Sequence, residues 1–145
     1  MSPSNPIEIL VVDDNPGDVR LIEEAMKDSQ VPSRLHTAKD GEEAIAFLRR
    51  EWPYASAPRP HIVLLDLNMP RVGGLEVLRT IKRAPELRMI PTVILTSSMA
   101  DKDIQGCYAE HANAYLVKPT DLDSFSGLLR SVEAFWMTFA TLPAC

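Results

Sequence analysis

Residues 61–70 read H-I-V-L-L-D-L-N-M-P: an apolar run, then an acid, Asp66, then a turn. A run this short and this uniformly apolar is how a strand reads when both its faces are covered, as in a parallel sheet, because the usual alternation is lost. The expected strand spans His61–Leu65. Its acid then stands at the carboxyl end of the strand, where the loops of an open α/β sheet converge and ligands bind.

Working outward, the same pattern recurs upstream in Ile7–Val12 (I-E-I-L-V-V), which ends on Asp13 and Asp14. D-N-P-G-D comes next, with Asn15 as a cap and Pro16 pre-set for a first helical turn. Val19, Ile22 and Met26 recur at helical spacing, so helix is expected over about 16–29. Pro32 interrupts, Arg34–Ala38 reads as a weaker strand, and Asp40 with Glu43 marks a helix start before Ala44, Ile45 and Leu48. Residues 52–60, with Pro53, Pro58 and Pro60 and no periodicity, form a loop. Downstream, N-M-P-R-V-G-G turns into a helix over about Leu75–Arg83, and a strand, Thr92–Leu95, comes after Pro91 and closes on Thr96. A polar helix over 101–111 leads to a strand at Ala114–Val117. Leu122, Phe125, Leu129, Val132 and Trp136 then line one face of a last helix. Five strand and helix pairs in strict alternation imply an α/β fold: a doubly wound, five-stranded parallel sheet with helices on both faces.

With 145 residues the chain has room for one domain, with a core over about 6–140 and no effector domain. The net charge of −5 and the lack of any basic run disfavour nucleic-acid binding. Cys107 and Cys145 lie too far apart for a disulfide framework or a zinc site. The opening M-S-P-S-N-P lacks a basic segment before an apolar one, and the apolar runs are strand-sized, so neither secretion nor membrane spanning is expected. A cytoplasmic protein is the expectation. His36, His61 and His111 have no companions at metal-ligand spacing.

The strand ends bring together Asp13, Asp14, Asp66, Thr96 and Lys118. Any one of them alone reads as a cap, a strand terminus or a surface charge; their shared edge does not. Three crowded carboxylates repel one another unless a cation offsets the charge, and Mg²⁺ suits so sparse a set of oxygens. A carboxylate beside Mg²⁺ and a lysine suffices to accept a phosphoryl group, with Asp66 attacking and Lys118 steadying the product.

Asp13-Asp14, D-L-N-M-P at 66–70, L-T-S at 95–97 and V-K-P at 117–119 together resemble the response-regulator receiver family, over roughly residues 6–140. That resemblance implies a chemotaxis-receiver-like sheet of strand order 2-1-3-4-5 and phosphorylation of Asp66 by a sensor histidine kinase. It also implies direct Mg²⁺ ligation by Asp14, Asp66 and the Asn68 carbonyl, with Asp13 acting through water. Thr96 and Tyr115 resemble the family's switch pair, and Pro119 its proline after a cis bond. Ser97 and Ser98 would modify rates. Gly73 and Thr120 depart from the common pattern, which has Asp and an aromatic there. The Pro-rich loop and the stretch S-V-E-A-F-W-M-T-F-A-T-L-P at 131–143 resemble single-domain regulators paired with phytochrome-type histidine kinases. Output would pass to a downstream protein target or a phosphotransfer protein. Phe125, Phe135, Trp136 and Phe139 occupy more than one helical face, which suggests a homodimer contact. Haloacid-dehalogenase-like phosphatases share the aspartyl-phosphate chemistry, but their nucleophile lies in a D-x-D on the first strand, where this chain has D-D-N.

Overall fold

The computed structural model describes residues 5–144. The strands are β1 (Ile7–Val12), β2 (Ser33–Ala38), β3 (Ile62–Leu65), β4 (Thr92–Thr96) and β5 (Ala114–Val117). Between and after them come α1 (Pro16–Lys27), α2 (Gly41–Arg49), α3 (Gly74–Arg83), α4 (Asp101–Ala109) and α5 (Leu122–Val132). The sheet order is β2-β1-β3-β4-β5, with every pair parallel. The expected doubly wound sheet and its order are both present.

Alternate strand residues feed two cores. Leu10, Val12, Val63, Leu65 and Ile94 pack with Phe47 and Leu48 of α2, Val77, Leu78 and Ile81 of α3, and Cys107 of α4. Ile9, Val11, Ile62, Leu64 and Val93 pack with Ile22 and Met26 of α1 and Phe125, Leu129 and Val132 of α5. β1, β3 and β4 are buried throughout, which accounts for their near-continuous apolar runs. β5 is one edge of the sheet, opposite β2, and all four of its residues, Tyr115 included, are only half-buried.

Glu8 breaks the apolar run of β1 and is nonetheless buried. Arg34 Nε donates to its Oε2 at 3.0 Å, and His36 Nε2 lies 2.8 Å from Oε1. His61 Nδ1 accepts from the Glu8 backbone N–H at 2.9 Å. The two histidines thus serve a strand tie at the end of the sheet away from Asp66.

Two local expectations are corrected. The last helix does not run on unchanged: after Val132 it widens into a π-helical segment, Glu133–Phe139. The wider turn re-phases the apolar positions, so Met137 enters the core, Trp136 only packs against it, and Phe135 and Phe139 face outward. Leu122, expected on the inner face, is exposed. The Lys118–Pro119 bond is also trans: Trp52–Pro53 is the cis bond among the described residues. Trans is the lower-energy form of a prolyl bond by about 0.5–1 kcal/mol, and Lys118 reaches its partners from it.

Candidate phospho-acceptor site

The strand order reverses direction between β1 and β3, and such a reversal opens a crevice beyond the carboxyl ends of the strands. Asp13 and Asp66 stand there as the first residues past β1 and β3. Ladder bonds still hold their backbones: Asp13 N–H donates to Ala38 O at 3.0 Å and Asp66 N–H to Val12 O at 2.9 Å. Lys118 comes directly after β5, and its N–H donates to Thr96 O at 2.8 Å. Parallel pairing thus fixes the heights of these residues relative to one another.

The lysine crosses the strand ends to the acids. Its Nζ lies 2.8 Å from Asp13 Oδ2, 2.9 Å from Asp18 Oδ2 and 3.3 Å from Asp66 Oδ2. Burial alone would favour the neutral amine, but the hydrogen bonds to Asp13 and Asp18 and the charges of Asp13 and Asp66 outweigh it. Lys118 is held well above the ordinary lysine range. For Asp13 the balance falls the other way: burial pushes its carboxyl up, against bonds from Lys118 and the Asn15 N–H, and the charge of Asp66 adds to the rise.

Asp66 is oriented at both oxygens. Oδ2 pairs with Lys118, while Oδ1 accepts from Leu67 N–H at 2.8 Å. The carboxylate lines a cleft of about 420 Å³ together with Asp14, Asp18, Asn68, Lys118 and Thr120. Asp13 and Asp66 are buried, and Asp14 is exposed at the rim. One oxygen from each of these three lies within 4.8 Å of the others. Hard carboxylate oxygens at that spacing, open to water on the Asp14 side, fit a divalent ion such as Mg²⁺ that keeps part of its hydration shell.

Thr96 is fully buried at the end of β4, and its Oγ1 accepts a long 3.4 Å bond from Ser98 N–H. The Tyr115 hydroxyl donates to the Ser98 carbonyl at 2.9 Å. Thr96 and Tyr115 are thus joined through one loop residue, Ser98, and not to each other. Asp13, Asp14, Asp66, Asn68, Thr96 and Lys118, named from the sequence as one cluster, all fall at this end of the sheet.

Two residues escaped the sequence reading. Asp18 is the third carboxylate on Lys118. The available signal was its place in the first turn of α1, where the Asn15 cap and Pro16 turn it back over the helix start. Gly74 is the other: a Cβ there would lie 2.1 Å from the Asp66 carbonyl oxygen, so only glycine lets α3 begin against the backbone of Asp66. V-G-G reads as a turn, but what it touches is not written locally.

The Response regulator receiver domain model matches residues 9–130. Among curated proteins, Response regulator Rcp1 of Synechocystis sp. is 42% identical over 142 residues, covering 97% of each chain. The Mn²⁺-bound form of Rcp1 superposes with a TM-score of 0.94 at 41% identity, covering 96% of this chain and 100% of that one. The phosphorylated cyanobacterial phytochrome response regulator RcpA gives a TM-score of 0.94 at 44% identity, covering 97% and 100%. With the family's strand order and its acid-and-lysine edge in place, this chain belongs to the response regulator receiver family and is a response regulator of two-component signalling.

Proposed function

We propose that Asp66 accepts a phosphoryl group from the phosphohistidine of a phytochrome-type sensor kinase and later loses it to water. The observation that carries this reading is the orientation of Asp66 from both sides, by Lys118 Nζ and by Leu67 N–H, at the wall of an acidic cleft. One Asp66 oxygen forms a bond to phosphorus as the histidine N–P bond breaks, and the imidazole leaves. Lys118, kept cationic, neutralises an oxygen of the incoming group. Asp13, Asp14, Asp66 and the Asn68 carbonyl would hold Mg²⁺, which supplies further positive charge to the phosphoryl oxygens when bound. In the reverse half, water attacks phosphorus, and the carboxylate and inorganic phosphate are released. Thr96 and Tyr115 register the modified state.

The phytochrome setting is supported by likeness to Rcp1 and RcpA over nearly the whole of each chain. Under this reading the protein works in the cytoplasm as one receiver domain. Its output is a surface change read by a downstream protein, or passage of the phosphoryl group to a phosphotransfer protein. No helix among the described residues is long and apolar enough to cross a membrane.

The test is intact mass after incubation with Mg²⁺ and acetyl phosphate. The expected result is a gain of one phosphoryl group that disappears with a chelator and in Asp66→Asn. A gain that survives Asp66→Asn overturns the assignment of the acceptor.

A further inference from the structure

α4 has little packing to hold it, since Cys107 is its one buried residue, whereas α3 buries Gly74, Val77, Leu78 and Ile81. Its N-cap residue, Ala100, has no side-chain oxygen to cap the first turn. Its first turn is tied instead to the loop before it: Ser98 Oγ donates to Asp103 Oδ2 at 2.5 Å and accepts from Ala100 N–H at 3.3 Å. The same Ser98 donates its backbone N–H to Thr96 Oγ1 and accepts the Tyr115 hydroxyl at its carbonyl. At the far end of α4, the Tyr108 hydroxyl accepts from Tyr115 N–H at 3.1 Å. One small residue is therefore bonded to both switch residues and to the helix that packs least. Neither Ser98 nor Asp103 lines the cleft around Asp66.

We propose that Ser98 is a positioning residue that couples the Thr96 hydroxyl to α4 through its bond to Asp103. The inference rests on Asp66 being the acceptor and Thr96 the switch. When Thr96 Oγ1 turns to a phosphoryl oxygen on Asp66, its contact with Ser98 N–H, already 3.4 Å long, is the one that gives. The Ser98–Asp103 bond is short and charge-assisted, and so resists separation. The first turn of α4 then moves with Ser98 rather than staying behind. A plain cap would stabilise α4 equally in both states; a coupling residue makes the two states differ.

The experiment is amide hydrogen exchange across residues 99–109 in wild type, Ser98→Ala, Ser98→Thr and Asp103→Asn. Each is measured with Mg²⁺ alone and with Mg²⁺ plus beryllofluoride as the phosphoryl mimic, alongside phosphoryl uptake from acetyl phosphate. In wild type, exchange over this segment changes on addition of beryllofluoride. In Ser98→Ala it rises about tenfold with Mg²⁺ alone, as expected for one lost charge-assisted bond. It then no longer responds to beryllofluoride, while phosphoryl uptake stays within about twofold. Ser98→Thr, which keeps the donor, retains the response, and Asp103→Asn, which keeps an acceptor without its charge, retains a reduced one. Persistence of the wild-type response in Ser98→Ala, or an equal rise in both states, overturns the coupling alone. A wild type that takes up no phosphoryl group overturns the acceptor reading together with it.

Discussion

At the scale of single residues, Lys118 carries the site, because one ammonium answers three carboxylates from two strands and a helix. Asp13, Asp66, Thr96 and Lys118 were legible in the sequence for a simple reason. Each ends an apolar run, and a run that short has only one carboxyl end. Asp18 was not, since its contact depends on how the first turn of α1 rotates, which no local pattern records. Its role gives a graded expectation. Asp18→Asn removes the charge of one of Lys118's three partners while leaving Asp13, Asp14 and Asp66 in place. The rate of phosphoryl uptake should fall by about threefold to tenfold, the equivalent of one ordinary hydrogen bond, where Asp66→Asn abolishes it. Stopped-time mass measurement of the two variants separates these outcomes, and an unchanged rate in Asp18→Asn would leave that acid only its favourable place in the first turn of α1.

At the scale of elements, the strand pattern transferred well and the ends of helices did not. α4 stops at Ala109, two residues before the expected end, and His111 has a positive φ of 71°. The π-helical segment after α5 was invisible because the spacing of Phe125, Leu129 and Val132 suits an ordinary helix, while the change of pitch beyond Val132 goes with the entry of Met137 into the core shared by α1, α5 and the strands. Glu8 shows the converse, a charge inside an apolar run that resolves only when β2 and β3 are alongside. Burial there opposes ionisation, but the bonds from Arg34 and His36 more than offset it, and Glu8 is held below the ordinary carboxylate range. A carboxyl lowered by folding stabilises the protein above its unfolded value of 4.5, and that contribution is lost as pH falls through the lower folded value. Glu8→Gln should therefore cost about 1–2 kcal/mol in urea unfolding at pH 7. The gap should narrow as pH falls below about 4.5. A gap independent of pH would mean that shape, and not charge, holds these strands.

At the scale of the molecule, alternation of strands and helices was enough to predict a doubly wound parallel sheet, because right-handed crossovers leave few alternatives, while its strand order came from the resemblance to the receiver family. Which surfaces remain available to partners was not, since that depends on where α5 changes pitch. Phe135 is 55% and Phe139 77% exposed, and they stand on the π-helical segment beside the partly buried Trp136. A homodimer through this face predicts that wild type sediments as a dimer at micromolar concentration and that Phe135→Glu with Phe139→Glu shifts it to monomer without altering phosphoryl uptake. A wild type that stays monomeric at high concentration sinks that contact. The loop between β3 and α3 is bracketed by two close approaches: Gly74 N–H bonds Leu67 O at 3.0 Å, and Gly41 N–H bonds Val72 O at 3.1 Å. Neither glycine has room for a Cβ, since each would bring one to 2.1 Å from a backbone oxygen. Residues 67–73 therefore have a fixed length as well as a fixed shape. One codon added or removed there would displace α2, α3 and Asp66 at once, whereas the Pro-rich stretch at 52–60 holds no glycine pressed against backbone and is where a change of length would disturb the cleft least.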